Sequence, residues 1–210
     1  MTRGKAIIAG VVIIVVGFLI FLSQSLENDA SFLPSALKGK QLPSFSAYEV
    51  TQPGTTARIL TDEDIEGPAL LNIWATWCPT CEAEHDALKE IGATGVPIYG
   101  VDYKDDTLKA YEWLRDLGNP YLFTVADESG KIGLNLGVYG APETYFLDAN
   151  NVIVYRHVGE MTVELWEMGF KAIYEASFDA DNNPEALKLA ISNADKAIEA
   201  AKAAAREGAK

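Results

Sequence analysis

The chain has 210 residues, a formal net charge of −13, 49% hydrophobic residues and 22% charged residues. That length suits one medium-sized domain with appendages, and the apolar share is enough to build a core. The acidic balance repels nucleic acid and anionic surfaces, so no nucleic-acid partner is expected and neutral or basic polypeptides are favoured.

The first element is apolar. No charged residue occurs from Ala6 to Leu26, and Ile7 to Leu22 is mostly Ile, Val, Leu and Phe. Such a run crosses a hydrocarbon core of ~30 Å at ~1.5 Å per residue. Arg3 and Lys5 precede it, and Glu27 and Asp29 follow. The positive-inside rule then leaves the first residues in the cytoplasm and sends the remainder outside. A cleaved signal peptide is the rival reading, against which stand the length of the run and the lack of a clean A-x-A site. The expected organisation is therefore a cytoplasmic N-terminus and transmembrane anchor over 1–26 and a polar linker over 27–40. A single globular domain over 41–176 and a helical extension over 177–210 complete it.

Within the domain, Arg58-Ile59-Leu60 reads as a short strand before the turn-like Asp62-Glu63-Asp64. Ala69 to Trp74 is a short apolar run typical of a buried strand, and Glu82 to Ile91 reads as a helix. Pro97 to Asp102 is a further strand. Asp106 to Leu117 has Leu108, Tyr111, Leu114 and Leu117 at helical spacing. Thr144 to Leu147 and Val152 to Arg156 form a hairpin through Asp148-Ala149-Asn150-Asn151. Thr162 to Glu175 is an amphipathic helix with Val163, Leu165, Trp166, Phe170 and Ile173 on its core side. Strands alternating with helices and ending in a hairpin plus helix give an α/β fold with a mixed sheet. In the tail, Asn183-Pro184-Glu185 starts a helix. Its stripe of Leu187, Ile191, Ala194, Ile198, Ala201 and Ala205 is half alanine and thin, so it is expected to bury little and to be dispensable for stability.

The chemistry-bearing motif is Cys78-Pro79-Thr80-Cys81, which holds both cysteines of the chain. It falls where the Ala69–Trp74 strand turns into a helix. The first sulfur then sits at a helix N-terminus, where backbone N–H groups and the dipole favour a thiolate. A thiolate attacks disulfides, so the arrangement makes a redox dithiol. Zinc needs about four ligands, and His85 and His157 are the only histidines. No metal and no cofactor are expected. His85, four residues after Cys81, reads as an ordinary helix residue.

Several segments in order carry a resemblance. They are Gly39 to Phe45 (GKQLPSF), Leu70 to His85 (LLNIWATWCPTCEAEH), Gly100 to Asp106 (GVDYKDD), Gly137 to Phe146 (GVYGAPETYF) and Tyr155 to Gly159 (YRHVG). Together they resemble the thioredoxin superfamily, and within it the CcmG/DsbE family of membrane-anchored thiol–disulfide proteins of cytochrome c maturation. The resemblance implies a thioredoxin-like mixed sheet flanked by helices, with one N-terminal transmembrane helix; the C-terminal helix is extra. It implies that Cys78 is the exposed nucleophile and Cys81 the shielded resolving thiol. Trp77, Pro79 and Thr80 shape the site, and Pro142 is cis, which turns the backbone of Ala141 toward the sulfurs and a substrate strand.

General thioredoxins have a buried aspartate where this chain has Asn72, so either another proton acceptor is needed or the reaction is slower. Glu143 ranks first, Glu84 second and Asp102 third. The resemblance further implies a periplasmic domain on a single-pass inner-membrane anchor at residues 6–26. It implies a reductant fed by a DsbD/CcdA-like transmembrane thiol donor and acting on apocytochrome c or its haem-ligation proteins. A broader TlpA/ResA-like thiol–disulfide protein is one alternative. A copper-binding chaperone is another, though those usually show wider cysteine spacing.

Overall fold

The computed structural model of the protein describes residue 4, residues 11–18 and residues 37–208. The chain divides into two units, Met1–Pro34 and Ser35–Lys210. In the first, residues 11–18 are helical, with exposed apolar side chains such as Ile13, Ile14 and Phe18. The other residues of the expected anchor lie outside the described residues. Among the described residues no helix is long and apolar enough to cross a membrane.

The second unit is a thioredoxin-like α/β domain. Its central strand, β3 (Ala69–Trp74), is wholly buried, as its unbroken apolar run requires. Two crossover helices, α1 (Pro79–Ala93) and α2 (Thr107–Leu117), lead from β3 to β4 (Ile98–Tyr103) and from β4 to β5 (Thr124–Asp127). β3, β4 and β5 pair in parallel. After α3 (Lys131–Leu136), the strands β6 (Glu143–Leu147) and β7 (Ile153–Val158) return antiparallel on the other side of β3. The sheet order is β5-β4-β3-β6-β7, and a separate two-stranded hairpin joins β1 (Ser46–Tyr48) to β2 (Ile59–Thr61).

Alternation along β3 divides the core. Leu70 and Trp74 face a cluster built with Leu88, Ile91, Leu114 and Phe170. Leu71 and Ile73 face a second cluster with Leu60, Tyr99, Ile132, Leu136 and Tyr145. The period of two thus assigns Asn72 to the face covered by α1.

Several expectations are corrected here. Residues 37–40, assigned to the linker, are tied to the domain. The Gly39 N–H donates to the Ile153 carbonyl, Ile153 N–H donates to Lys40, and Leu37 packs on the second cluster. In α2, Leu108 and Leu117 face water, and Ala110, Trp113 and Leu114 form the packed stripe instead. The stacking of Trp113 on Trp74, with ring centroids 4.8 Å apart, sets the rotation of that helix. The helix expected over 162–175 is present as α4 but in three pieces: Val163–Leu165, a π-turn at Trp166–Phe170, and Lys171–Ser177. Trp166, Phe170 and Ile173 are buried as expected, while Val163 and Leu165 are only partly so. Strands β1 and β5 and helix α3 had no counterpart in the sequence reading.

The largest correction concerns the tail. The long helix α5 (Pro184–Gly208) packs on α4, burying Ile191 and Ala194 in the first cluster with Leu187 and Ile198 against it. Alanine permits this because the two backbones meet closely. A Cβ placed on Gly169 would stand 2.7 Å from Ala194 Cα. Tyr155 on β7 also donates its hydroxyl to Asp195 at 2.8 Å. Ala194→Leu should therefore lower stability by about 1–3 kcal/mol in urea unfolding, the usual cost of overpacking. A chain ended after Asn182 should lose more than that. A truncated domain that melts with the parent would refute the packing role.

Candidate active site

Cys78 and Cys81 are joined as a disulfide at the junction the sequence marks. Cys78 is the N-cap of α1, with extended backbone, and Pro79 occupies the first helical position, where a missing N–H costs nothing. The Cys78 sulfur accepts the backbone N–H of Cys81 at 3.1 Å. This is the place a serine or aspartate oxygen takes in an ordinary cap. The same N–H groups and the helix dipole stabilise negative charge on that sulfur once the disulfide opens.

The Ala141–Pro142 bond is cis, and the Ala141 carbonyl oxygen lies 3.4 Å from Cys78 Sγ. The expectation of an exposed Cys78 beside a shielded Cys81 is corrected. In the oxidised site their exposures are 4% and 2%; the Ala141 carbonyl, in the bend before β6, lies against the first sulfur, and the second is inside α1. The asymmetry between them is positional, an N-cap against a helix interior.

The GVDYKDD stretch braces the loop. Trp77 is exposed, and its indole N–H donates to the Lys104 carbonyl at 3.2 Å. The Thr76 N–H donates to Asp105 Oδ2. Lys104 adopts a left-handed conformation with φ of 51°, which aims its carbonyl and the next side chain at the loop. Pro79 and Thr80 are exposed on the first turn.

The three expected proton acceptors separate by sheet face. Glu143 opposes Ile73 and lies on the second-cluster side. Its Oε1 accepts from Arg156 Nη2 at 2.9 Å and from the Tyr139 N–H at 3.2 Å. Its Oε2 accepts from Arg156 Nε at 2.9 Å and from the Tyr145 hydroxyl at 3.0 Å. Glu143 is thus the anion of a buried ion pair, and its ranking as first acceptor is corrected: strand parity turns it away from α1.

Glu84, 1% exposed, is on the dithiol face, one helical turn from Cys81. Oε1 accepts from Asn72 Nδ2 at 2.9 Å and Oε2 from the Met161 N–H at 2.8 Å. Burial, partly offset by these two donors, pushes its pKa up to about 8. Asp102 opposes Trp74 across β3 and β4. It is fully buried with neither carboxylate oxygen hydrogen-bonded. Burial, then the charges of Asp105, Glu128, Asp106 and Asp127, raise its pKa to about 8 as well.

The histidines have structural partners. His85 Nε2 is 2.7 Å from the Gly118 carbonyl, and its ring meets Trp113 edge-on at 4.2 Å. His157 Nε2 is 3.0 Å from the Glu160 carbonyl. No cluster of three or more metal-ligating side chains occurs among the described residues. The sequence reading missed Arg156 and Tyr121. Arg156 lay within the YRHVG segment without a partner to suggest its role, and Tyr121 carried no signal in its spacing.

Comparison with known proteins agrees with this geometry. The Redoxin family model matches residues 37–173. The thiol:disulfide interchange protein DsbE of Vibrio cholerae is 48% identical over 162 residues, covering 74% of this chain and 86% of that protein. DsbE of Yersinia pestis is 45% identical over 166 residues, covering 78% and 87%, and DsbE of Escherichia coli K12 is 47% identical over 150 residues, covering 70% and 80%. Among solved structures, a putative DsbE from Chlorobium tepidum shares the fold with a TM-score of 0.51 at 24% identity, covering 60% of this chain and 89% of that one. A secreted thiol-disulfide isomerase from Corynebacterium glutamicum gives 0.51 at 25% identity, covering 59% and 79%.

Two predictions follow from the acids. A carboxyl whose folded pKa is raised binds its proton in the native state at pH values where the unfolded chain has lost it. Its contribution to stability is therefore present below the unfolded value near 4.5 and is lost as pH rises to about 8. Glu84→Gln should match the parent near pH 4 and exceed it by a few kcal/mol near pH 8 in urea unfolding of the oxidised protein. Equal stability at both pH values would show that Glu84 is not held protonated. Arg156→Met, which strands the Glu143 charge, should cost about 3–5 kcal/mol by the same measurement. A near-neutral effect would place Glu143 outside the fold's electrostatic core.

Proposed function

The chain belongs to the redoxin family and to the DsbE thiol:disulfide interchange proteins, and from that membership we propose that it is a periplasmic reductant of specific disulfides in cytochrome c maturation. Thiol–disulfide oxidoreductase activity follows from the family itself. The direction, the substrate and the compartment are the proposal. What supports them is the similarity to DsbE proteins over 70–78% of the chain. The observation that carries the mechanism is Glu84, buried beside Cys81 with a pKa of about 8, close to the ~8.5 of a free thiol.

In the reduced protein the Cys78 thiolate attacks one sulfur of the substrate disulfide. The substrate S–S bond breaks, one substrate sulfur leaves as thiolate and takes a proton, and a mixed disulfide forms through Cys78. Cys81 then gives its proton to the Glu84 carboxylate and attacks Cys78 Sγ. The mixed disulfide breaks, the second substrate thiol is released, and Cys78 and Cys81 are left oxidised. Two electrons have passed to the substrate with two protons: the Cys81 proton, handed on from Glu84 to the second leaving sulfur, and one from solvent in place of the proton the Cys78 thiolate had already lost. A base matched in pKa to its thiol moves the proton with little driving force in either direction. That suits a dithiol that is oxidised by its substrate and must be reduced again.

Ala141, at the strand end beside Cys78, offers backbone to an extended substrate segment, with Trp77, Pro79 and Thr80 lining the approach. Re-reduction falls to a DsbD/CcdA-like transmembrane thiol donor. Residues 6–26 hold the domain at the inner membrane, where that donor and the apocytochrome c or haem-ligation partners meet it. The broader TlpA/ResA-like role differs only in substrate range.

With Cys81→Ser, mixing with an oxidised apocytochrome peptide should trap a stable mixed disulfide through Cys78, visible by non-reducing electrophoresis and mass spectrometry. Trapping by Cys78→Ser alone would reverse the two roles. Equal trapping of unrelated disulfide peptides would favour the broader reading. A dithiol potential as high as the ~−120 mV of a strong oxidant would overturn the reductant direction.

A further inference from the structure

Tyr121 takes no part in the steps above, yet it is joined to them. It lies between α2 and β5, is 6% exposed, and stacks on Trp74 with centroids 5.7 Å apart and planes 15° from parallel. Its hydroxyl donates to Asn72 Oδ1 at 2.8 Å. From the other end of the same amide, Nδ2 donates to Glu84 Oε1 at 2.9 Å and to Thr144 Oγ1 at 3.1 Å.

A primary amide has one accepting end and one donating end. Turned over, Asn72 would set Nδ2 against the Tyr121 hydroxyl, whose proton would then have no acceptor, and Oδ1 against Glu84, where the ionised carboxylate has no proton to offer. In a buried site neither mismatch is repaired by solvent, so each costs the full desolvation of an unpaired group. We propose that Tyr121 is a positioning residue of the dithiol site: its hydroxyl fixes the Asn72 amide so that an N–H, and not the carbonyl, faces Glu84 throughout the redox cycle.

The inference rests on the reading of Glu84 as the proton acceptor for Cys81. A donor aimed at Oε1 favours the charged carboxylate, so the amide orientation sets how readily Glu84 ionises. Tyr121 remains a neutral donor at all working pH values. Burial, with the Glu84 and Asp102 charges adding to it, holds its phenol well above the usual tyrosine range. The groups acting on Glu84 are the Met161 N–H, Asn72 with Tyr121 behind it, and the charge of Glu160 from the loop before α4. Asp102 of β4 acts on Tyr121.

The test follows the Glu84 carboxyl by carbon NMR across pH in the oxidised full chain. Tyr121→Phe keeps the ring and its stacking and removes only the donor. The Glu84 midpoint is expected to rise by about one pH unit, a tenfold change in its ionisation. The pH profile of thiol–disulfide exchange should move the same way. In an Asn72→Leu background the amide is gone, and Tyr121→Phe should no longer move Glu84. An unmoved midpoint in the single variant, or an equal movement in both backgrounds, overturns the proposal, since the second is what altered ring packing alone would give. If the midpoint moves while Glu84→Gln exchanges with the parental pH profile, the positioning role stands and the acceptor role of Glu84 falls.

Discussion

The central strand has no side open to water. Every residue of β3 is buried, sheet neighbours lie on both edges, and helices cover the face toward the dithiol. Any polar group on that strand must find its partners inside the protein or lose several kcal/mol. Apart from the Trp74 indole, whose N–H has no partner, Asn72 is the one polar side chain there, and the organisation of the site follows from satisfying it. Its carbonyl takes the Tyr121 hydroxyl, and its amide N–H groups supply Glu84 and Thr144. The same carboxyl takes the Met161 N–H at the start of the segment leading into α4. Four separate parts of the chain are thereby pinned to one strand position beside the cysteines.

Electrostatics divides the buried acids by what accompanies them. Glu143 and Arg156 neutralise one another in a two-pronged pair whose side chains are 0% and 8% exposed. Glu84 and Asp102 have no cation. Glu84 is given neutral donors and Asp102 none, so both are pushed toward the protonated form. An ion pair of the first kind is retained for the geometry it fixes and offers no proton traffic. An unpaired acid of the second kind destabilises the fold at neutral pH, which is a reason to expect it at a site of chemistry. The two glutamates are distinguished by which side of the sheet they lie on, Glu84 on the helix covering one face and Glu143 on the strand position that points to the other.

Much of this was legible from the residues. The apolar run of Ala69–Trp74, the C-x-x-C beyond it, and the hairpin through Asp148–Asn151 each follow from local pattern. Three features did not. Glu143 looked the better acid because it follows Pro142, and only the pairing of β6 with β3 shows that it points away. β5 and α3 are short, four and six residues, too brief for periodicity to declare itself. The fit of α5 was hidden because apolar area was the wrong measure. Its packing depends on Gly169 opposite Ala194, a matter of how near two backbones come, and no single segment contains that information.

The N-cap sulfur has a further consequence. The atom that exchanges electrons with substrate is also the atom that closes the first turn of α1 by accepting the Cys81 N–H. Sulfur keeps a lone pair for that donor whether it is a thiolate, half of the internal bond, or half of a bond to substrate. The helix end therefore meets the same acceptor in each oxidation state. Little reorganisation of the scaffold accompanies turnover, and the motion left to the reaction is the swing of sulfur between partners.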